Sequence, residues 1–161
     1  MFRLNLLCFR RDTQGVAAME AGLALPFIVA MAAGLFEFGS LFYNFEMMQT
    51  GVRDAARYLA RVADPVASEA AARNLAIRGT VDTSGSPRVK LWQPTHIQIT
   101  YKTIPNPVDE TTGRRLYRGR NPLIVVRVST SFDHPGTGFL NAVGLGPVRV
   151  AAAHEERYVG E

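Results

Sequence analysis

The fold is decided by the uncharged stretch AGLALPFIVAMAAGLF, which occupies residues 21–36. After Glu37, a second uncharged run follows over residues 38–45. A helix rises 1.5 Å per residue, so crossing a bilayer core takes about 20 apolar residues. The remainder of roughly a hundred residues is too small to hide every face of such a helix in water. The stretch therefore predicts one transmembrane helix over residues 16–46.

Positive charges on the two flanks of this stretch predict its orientation. Arg3, Arg10 and Arg11 precede it and only Asp12 opposes them, whereas the arginines on the distal side begin at Arg53. Cytoplasmic flanks carry the excess of Lys and Arg. We therefore expect a single-pass protein of the inner membrane, with a cytoplasmic N-terminus and a periplasmic or extracellular C-terminal domain.

The net charge of +4 suggests contact with something acidic, whether the headgroups of membrane lipid, nucleic acid or a partner protein. Part of the excess comes from the N-terminal arginines, so the charge does not by itself indicate nucleic-acid binding. The single cysteine, Cys8, lies before the apolar stretch. It has no partner within the chain, so packing alone must hold the fold.

Three small or restricted residues inside the stretch predict where the helix meets a neighbour. Pro26 removes one backbone donor and leaves the carbonyl of Gly22 in need of another partner. Ala30 and Gly34 are four residues apart and would let a second helix approach closely. We therefore expect helix packing at Pro26, Ala30 and Gly34.

The leader before the stretch ends in a glycine, with a glutamate at the fifth position after it. The sequence is RRDTQGVAAME over residues 10–20, and it resembles a type III signal peptide, the substrate of prepilin peptidases. The resemblance implies a leader of residues 1–15, with cleavage between Gly15 and Val16 on the cytoplasmic side. The apolar segment would stay in place behind a new N-terminus at Val16.

Two carboxylates bracket the apolar stretch and are candidates for a role in assembly. Glu20 lies about 6 Å along the helix axis from the new amine at Val16. A carboxylate at the membrane edge is costly without a cation, and a neighbouring subunit's amine would supply one. Glu37 lies roughly 25 Å further along, close to the thickness of the bilayer core. It would either bind an assembly partner or lie solvated at the outer interface.

Beyond the leader, three segments resemble the TadE-like family, minor pseudopilins of the tight-adherence (Flp-type) pilus system. They are EAGLALP at residues 20–26, GLFEFG at residues 34–39 and VRDAARYLAR at residues 52–61. The resemblance implies a structural subunit whose partners are a prepilin peptidase, other pilin-like subunits and an inner-membrane assembly platform. The sister TadF-like group shares this architecture and stays an alternative.

The rest of the chain predicts an α+β fold, with a long N-terminal helix, a short helix and a small antiparallel sheet. An apolar stripe from Met48 through Leu59 to Val62 and Val66 predicts an amphipathic stem over residues 47–79. A second helix would begin at Asp64-Pro65 and end at Gly79. Strands at residues 97–103, 123–132 and 148–159 would form a β domain over residues 80–161, with residues 89–92 as a possible addition.

Candidate sites of other kinds find little support in the sequence. The basic loop RRLYRGR at residues 114–120 could bind phosphates, but a solvated loop is the favoured interpretation. The three histidines lack the spacing of metal ligands, and no nucleophile motif or phosphate loop occurs. We therefore expect no enzyme activity, no catalytic residue, no metal and no cofactor.

Two alternatives from other classes remain. An ordinary secretory signal could end at Ala30-Met31-Ala32, an A-x-A site, and release a binding domain. An uncleaved anchor could instead carry a periplasmic binding module. The mature N-terminus distinguishes these two from the pilin-like interpretation.

Overall fold

A computed structural model describes residues 13–134, 136 and 138–160 of the chain. Helix α1 (Thr13–Leu59) is followed by α2 (Glu69–Arg78), a 3-10 turn (Pro94–His96) and strand β1 (Ile97–Ile104). Strand β2 (Leu123–His134), the short helix α3 (Phe139–Ala142) and strand β3 (Val148–Arg157) complete the order. The predicted α+β class, with a long helix, a short helix and an antiparallel sheet, is confirmed. Most of the predicted leader, residues 1–12, lies outside the described residues.

Helix α1 is about 70 Å long at helical rise, and its two halves have different surroundings. Residues 15–32 are exposed on every side, although most of them are apolar. From Met48 onward, one face is fully buried, at Met48, Val52, Ala55 and Leu59. This is the predicted apolar stripe, and it is confirmed up to Leu59.

The predicted continuation of the stripe to Val62 and Val66 is wrong, because α1 ends at Leu59. The carbonyl of Ala60 accepts hydrogen bonds from the N–H groups of Val159 (2.8 Å) and Gly160 (3.0 Å), near the C-terminus. These bonds replace the donor that a further helical turn would supply, and Val66 is left exposed.

The second helix begins four residues later than predicted. Asp64 does not start it but organises a turn, where its carboxylate accepts the N–H of Ala67 at 3.0 Å. The first helical residue is Glu69. The predicted end is confirmed: Gly79 has φ +80°, and its N–H donates to the carbonyl of Leu75, the left-handed conformation that favours glycine.

The sheet has the order β1-β2-β3, with both pairs antiparallel. Its register pairs Ile104 with Leu123 at one end and His134 with Val148 at the other. Residues 89–92, considered as an added strand, form a turn instead. Its Val89 and Trp92 are buried, and the Trp92 indole donates to the Thr130 hydroxyl at 2.9 Å.

The core lies between one face of the sheet and the second half of α1, with α2 beside it. Its fully buried large side chains include Trp92, Met48, Leu59 and Val126. We call this unit, which comprises the sheet, α2 and α3 together with the end of α1, the head. The first half of α1 projects from it, and this projection positions the candidate site.

Candidate membrane anchor and assembly helix

The projecting half of α1 exposes large apolar side chains around its whole circumference. Phe27, Leu35 and Phe36 are 73%, 74% and 80% exposed. Full burial of one such side chain is worth about 1.5–3 kcal/mol, so water is a poor surrounding for this surface. Among the described residues, α1 is the helix whose length and apolar composition would allow it to cross a membrane. One apolar N-terminal helix of this kind fits single-pass anchoring.

The predicted processing site and the first carboxylate lie on the opening turns of α1. Gly15, Val16 and Glu20 are all exposed there. Because Val16 and Glu20 are one helical turn apart, they share one face of the helix. A positive group at Val16 would therefore lie on the same side as the Glu20 carboxylate.

The three predicted packing residues lie in different surroundings. Pro26 is inside the helix, which continues past it, and Ala30 is exposed. Gly34 faces the head, because a Cβ added there would lie 3.6 Å from Cε1 of Phe139 in α3. A methyl group added at Gly34 would reach only ordinary van der Waals contact with the head, and an intermolecular role for these residues stays a prediction.

Glu37 marks the point where α1 enters the head. Its side chain is only 1% exposed, so the alternative of a solvated Glu37 is wrong for this fold. The carboxylate lies directly against Gly136, and a Cβ added there would overlap it unless the Glu37 side chain shifted. Glu37 therefore contributes to an intramolecular joint, and a role in assembly stays a prediction.

A histidine completes this joint. The N–H of Gly136 donates to Nδ1 of His134 at 2.9 Å, and the carboxamide of Asn44 lies 2.8 Å from Nε2. The atom of Asn44 that faces Nε2 is the amide nitrogen Nδ2, and which partner donates depends on the tautomer of the ring. His134 is almost fully buried. The polar joint formed by Glu37, Asn44, His134 and Gly136 thus ties α1 to the end of β2.

Sequence reasoning missed this joint for a physical reason. Asn44 and His134 are separated by 90 residues, and no local period relates positions on a helix to positions after a strand. The available signal was a pair of polar residues in apolar surroundings, Glu37 before an aromatic run and His134 at the end of a β-branched strand. That signal indicates burial with a partner, but it does not name the partner.

Two ion pairs connect charged residues of α1 to the rest of the head. Arg57 pairs with Glu156 of β3 at 3.4 Å. Asp54 pairs with Arg88 at 2.7 Å. The pair between Asp54 and Arg88 attaches the segment after α2 to α1.

The basic loop is organised around one buried amide rather than around a ligand. Asn106 is fully buried, and its Nδ2 donates to the carbonyls of Tyr117 (2.8 Å) and Arg120 (3.2 Å). Its Oδ1 accepts the N–H of Tyr117. The loop is an ordered extension at the end of the sheet remote from Glu37.

The three histidines, all among the described residues, form no metal-ligand group. The His96 ring stacks on Phe132 with a centroid distance of 5.3 Å, and His154 lies 3.3 Å from the Glu156 carboxylate. Within residues 13–134, 136 and 138–160, no three His, Cys, Asp or Glu side chains form a group that could hold a metal ion.

Comparison with known families finds a match for most of helix α1. The family model for TadE-like protein matches residues 15–57, roughly a quarter of the chain. No curated protein and no solved structure matches the chain. The matched residues comprise the exposed apolar half of α1 and most of its buried stripe, and the family description suggests a pilus-associated, pilin-like role that involves other pilus components. Residues 15–57 thus match the TadE-like family model, in agreement with the resemblance of the three sequence segments.

Proposed function

We propose that this chain is a minor pilin-like subunit of a tight-adherence pilus system and acts structurally during pilus assembly. One observation carries the proposal: the TadE-like match covers a helix whose first half projects from the head with its apolar side chains exposed. Such a helix can be held in lipid and later packed against other helices of the same kind. The partners would be other pilin-like subunits and an inner-membrane assembly platform.

The anchored state would have a cytoplasmic N-terminus and an external head. The N-terminal arginines favour this orientation. The head begins at the buried Glu37, so we place the outer end of the span near residue 36, ten residues before the boundary that apolarity alone suggested. Residues 16–36 span about 30 Å, which matches the bilayer core.

Processing would remove residues 1–15. A prepilin peptidase cutting after Gly15 leaves the apolar half of α1 attached to the head, as a pilin-like subunit requires. A secretory cut after Ala32 would instead discard much of the matched segment, and the secreted alternative is therefore not favoured. The protein would be the substrate of a peptidase and not itself an enzyme.

Glu20 would recognise the processed amine of a neighbouring subunit. It is exposed on the face that also carries Val16, so it is accessible to another helix. In lipid, a carboxylate and an amine neutralise each other, and this favours packed over isolated subunits.

The test is incorporation of Glu20 variants into sheared pili. Glu20→Gln keeps the size and loses the charge, and we expect it to insert into the membrane normally but to be depleted in the pilus fraction. Glu20→Asp keeps the charge and serves as the matched control. Equal incorporation of Glu20→Gln and wild type would show that assembly does not need the charge of Glu20. Undiminished piliation in a strain lacking the whole chain would contradict the proposed function.

A further inference from the structure

A second apolar surface lies beside the point where α1 leaves the head. Residues 138–147, which include α3, form a compact loop that we call the apolar tip. Residues 135–148 contain no charged residue. Val143 and Leu145 in the tip are 53% and 69% exposed. The adjoining strands β2 and β3, by contrast, bury several of their apolar side chains.

Four consecutive backbone donors of the tip have their hydrogen-bond partners within the tip. The N–H groups of Ala142, Val143, Gly144 and Leu145 all donate to carbonyls within the tip, at 2.8–3.1 Å. Unsatisfied backbone groups cost several kcal/mol in an apolar medium. An exposed loop with four of its backbone donors satisfied internally and with exposed apolar side chains at Val143 and Leu145 is suited to a lipid surrounding.

The position of the tip fixes its level along α1. Phe139 lies against Gly34, one turn before Glu37, where Leu35 and Phe36 are among the most exposed side chains of the helix. The apolar surface of the tip is therefore continuous with that of the projecting helix. If the helix is anchored, lipid already surrounds it at this level.

A charged residue lies one step further from the tip. Arg149, at the start of β3, is exposed and borders an apolar groove of about 580 Å³ together with Phe38, Phe42 and Val150. An arginine beyond an apolar surface can keep its stem in that surface and its guanidinium among phosphates. Going from the apolar tip to the groove that Arg149 borders, the surface of the head changes from apolar to charged. A bilayer changes in the same way from its acyl chains to its headgroups.

From this arrangement we infer that the head itself contacts the bilayer, with the apolar tip inserted into the outer interface beside α1 and Arg149 at the phosphates. The inference rests on membrane anchoring as proposed above. A second contact point would fix the tilt and rotation of the head relative to the membrane before assembly, which a single helix leaves free. A second copy of the chain covering the tip is the competing occupant.

The test uses the full-length chain with Cys8→Ser, reconstituted in vesicles of phosphatidylcholine and phosphatidylglycerol. An environment-sensitive fluorophore is attached in turn at Leu145→Cys, Val143→Cys, Phe27→Cys and Leu116→Cys. Leu116 is the matched control, because it is 76% exposed in the loop at the remote end of the sheet. Quenching by lipids brominated on their acyl chains reports contact with lipid.

We expect labels at Leu145 and Val143 to be quenched at least about two-fold more than the label at Leu116, as for an inserted apolar surface. Quenching at Phe27 without quenching at Leu145 and Val143 would overturn the inference and leave the anchor intact. Absence of quenching at Phe27 as well would overturn both. Weak quenching at Leu145 and Val143, together with disulfide cross-linking between unlabelled Leu145→Cys chains in the same vesicles, would assign the tip to a second copy and overturn the inference.

Discussion

At the scale of single residues, the joint between helix and head depends on a glycine 99 positions away from the carboxylate it meets. Gly136 has φ +68°, and its missing side chain leaves the space that the Glu37 carboxylate occupies. Burial of that carboxylate is tolerated only where polar groups surround it. The joint thus makes the start of the head a defined point on α1.

Replacement of Gly136 by alanine should loosen this joint. The new Cβ would overlap a Glu37 oxygen, and we expect a loss of about 1–3 kcal/mol of unfolding free energy from the collision. Gly144→Ala is the matched control, because Gly144 has φ +82° with no atom within 4 Å of the added Cβ. Both variants share the cost of left-handed backbone, about 1–2 kcal/mol. Equal melting temperatures for Gly136→Ala and Gly144→Ala in detergent would show that the packing of Glu37 does not require the space left by Gly136.

Tyr101 couples the sheet to α2 in a pH-dependent way. Its hydroxyl donates to the Glu69 carboxylate at 3.2 Å. Burial first, and then the negative charge of Glu69, raise the pKa of Tyr101 from 10.0 to about 12. The fold thus favours the neutral phenol. The stability it contributes is complete below pH 10 and is lost as the pH rises towards about 12.

Tyr101→Phe should therefore remove part of the alkaline loss of stability. Below pH 10 we expect the variant to be less stable than wild type by about 1 kcal/mol, for the lost hydrogen bond, and the difference should shrink at higher pH. Denaturant unfolding across this range measures it, with Tyr117→Phe on the exposed loop as control. A constant difference between wild type and Tyr101→Phe at all pH values would contradict the coupling.

At the scale of elements, α1 is one helix in two surroundings, and this explains what the sequence could predict. The spacing of apolar residues predicted the buried stripe from Met48 to Leu59, and the absence of charged residues predicted the projecting half. Neither pattern shows where the head begins, because Phe38, Phe42 and Phe45 suit a bilayer as well as a groove. The boundary near Glu37 depends on contacts with residues a hundred positions away, which local periodicity does not encode.

The close approach of α1 and α2 offers a test at this scale. A Cβ added at Gly51 would meet the carbonyl of Ala76 and lie 2.7 Å from the Trp92 ring, whereas one added at Gly39 meets nothing within 4 Å. Alanine is favoured over glycine in a helix by about 1 kcal/mol. We expect Gly39→Ala to be neutral or stabilising and Gly51→Ala to lower the melting temperature despite this gain. Circular dichroism in detergent measures both, and an unchanged Gly51→Ala would contradict the packing of α2 on α1.

At the scale of the whole molecule, the fold class, the three strands and the end of α2 at Gly79 could be predicted from periodicity, β-branched residues and a glycine signal. The start of α2 could not, because Asp64 caps a turn as readily as a helix. The end of α1 could not either, since the chain's own C-terminal residues take the Ala60 carbonyl. The processing site and the roles of Glu20 and Glu37 in assembly are intermolecular, and they stay predictions.

The central claim is that this chain is a processed pilin-like subunit, and its mature N-terminus tests that claim most directly. The measurement is intact mass and N-terminal sequencing of membrane-extracted protein, co-expressed with a prepilin peptidase and, as control, without it. We predict a start at Val16 that depends on the peptidase. A start near Ala33, or Met1 retained in the presence of active peptidase, would contradict it.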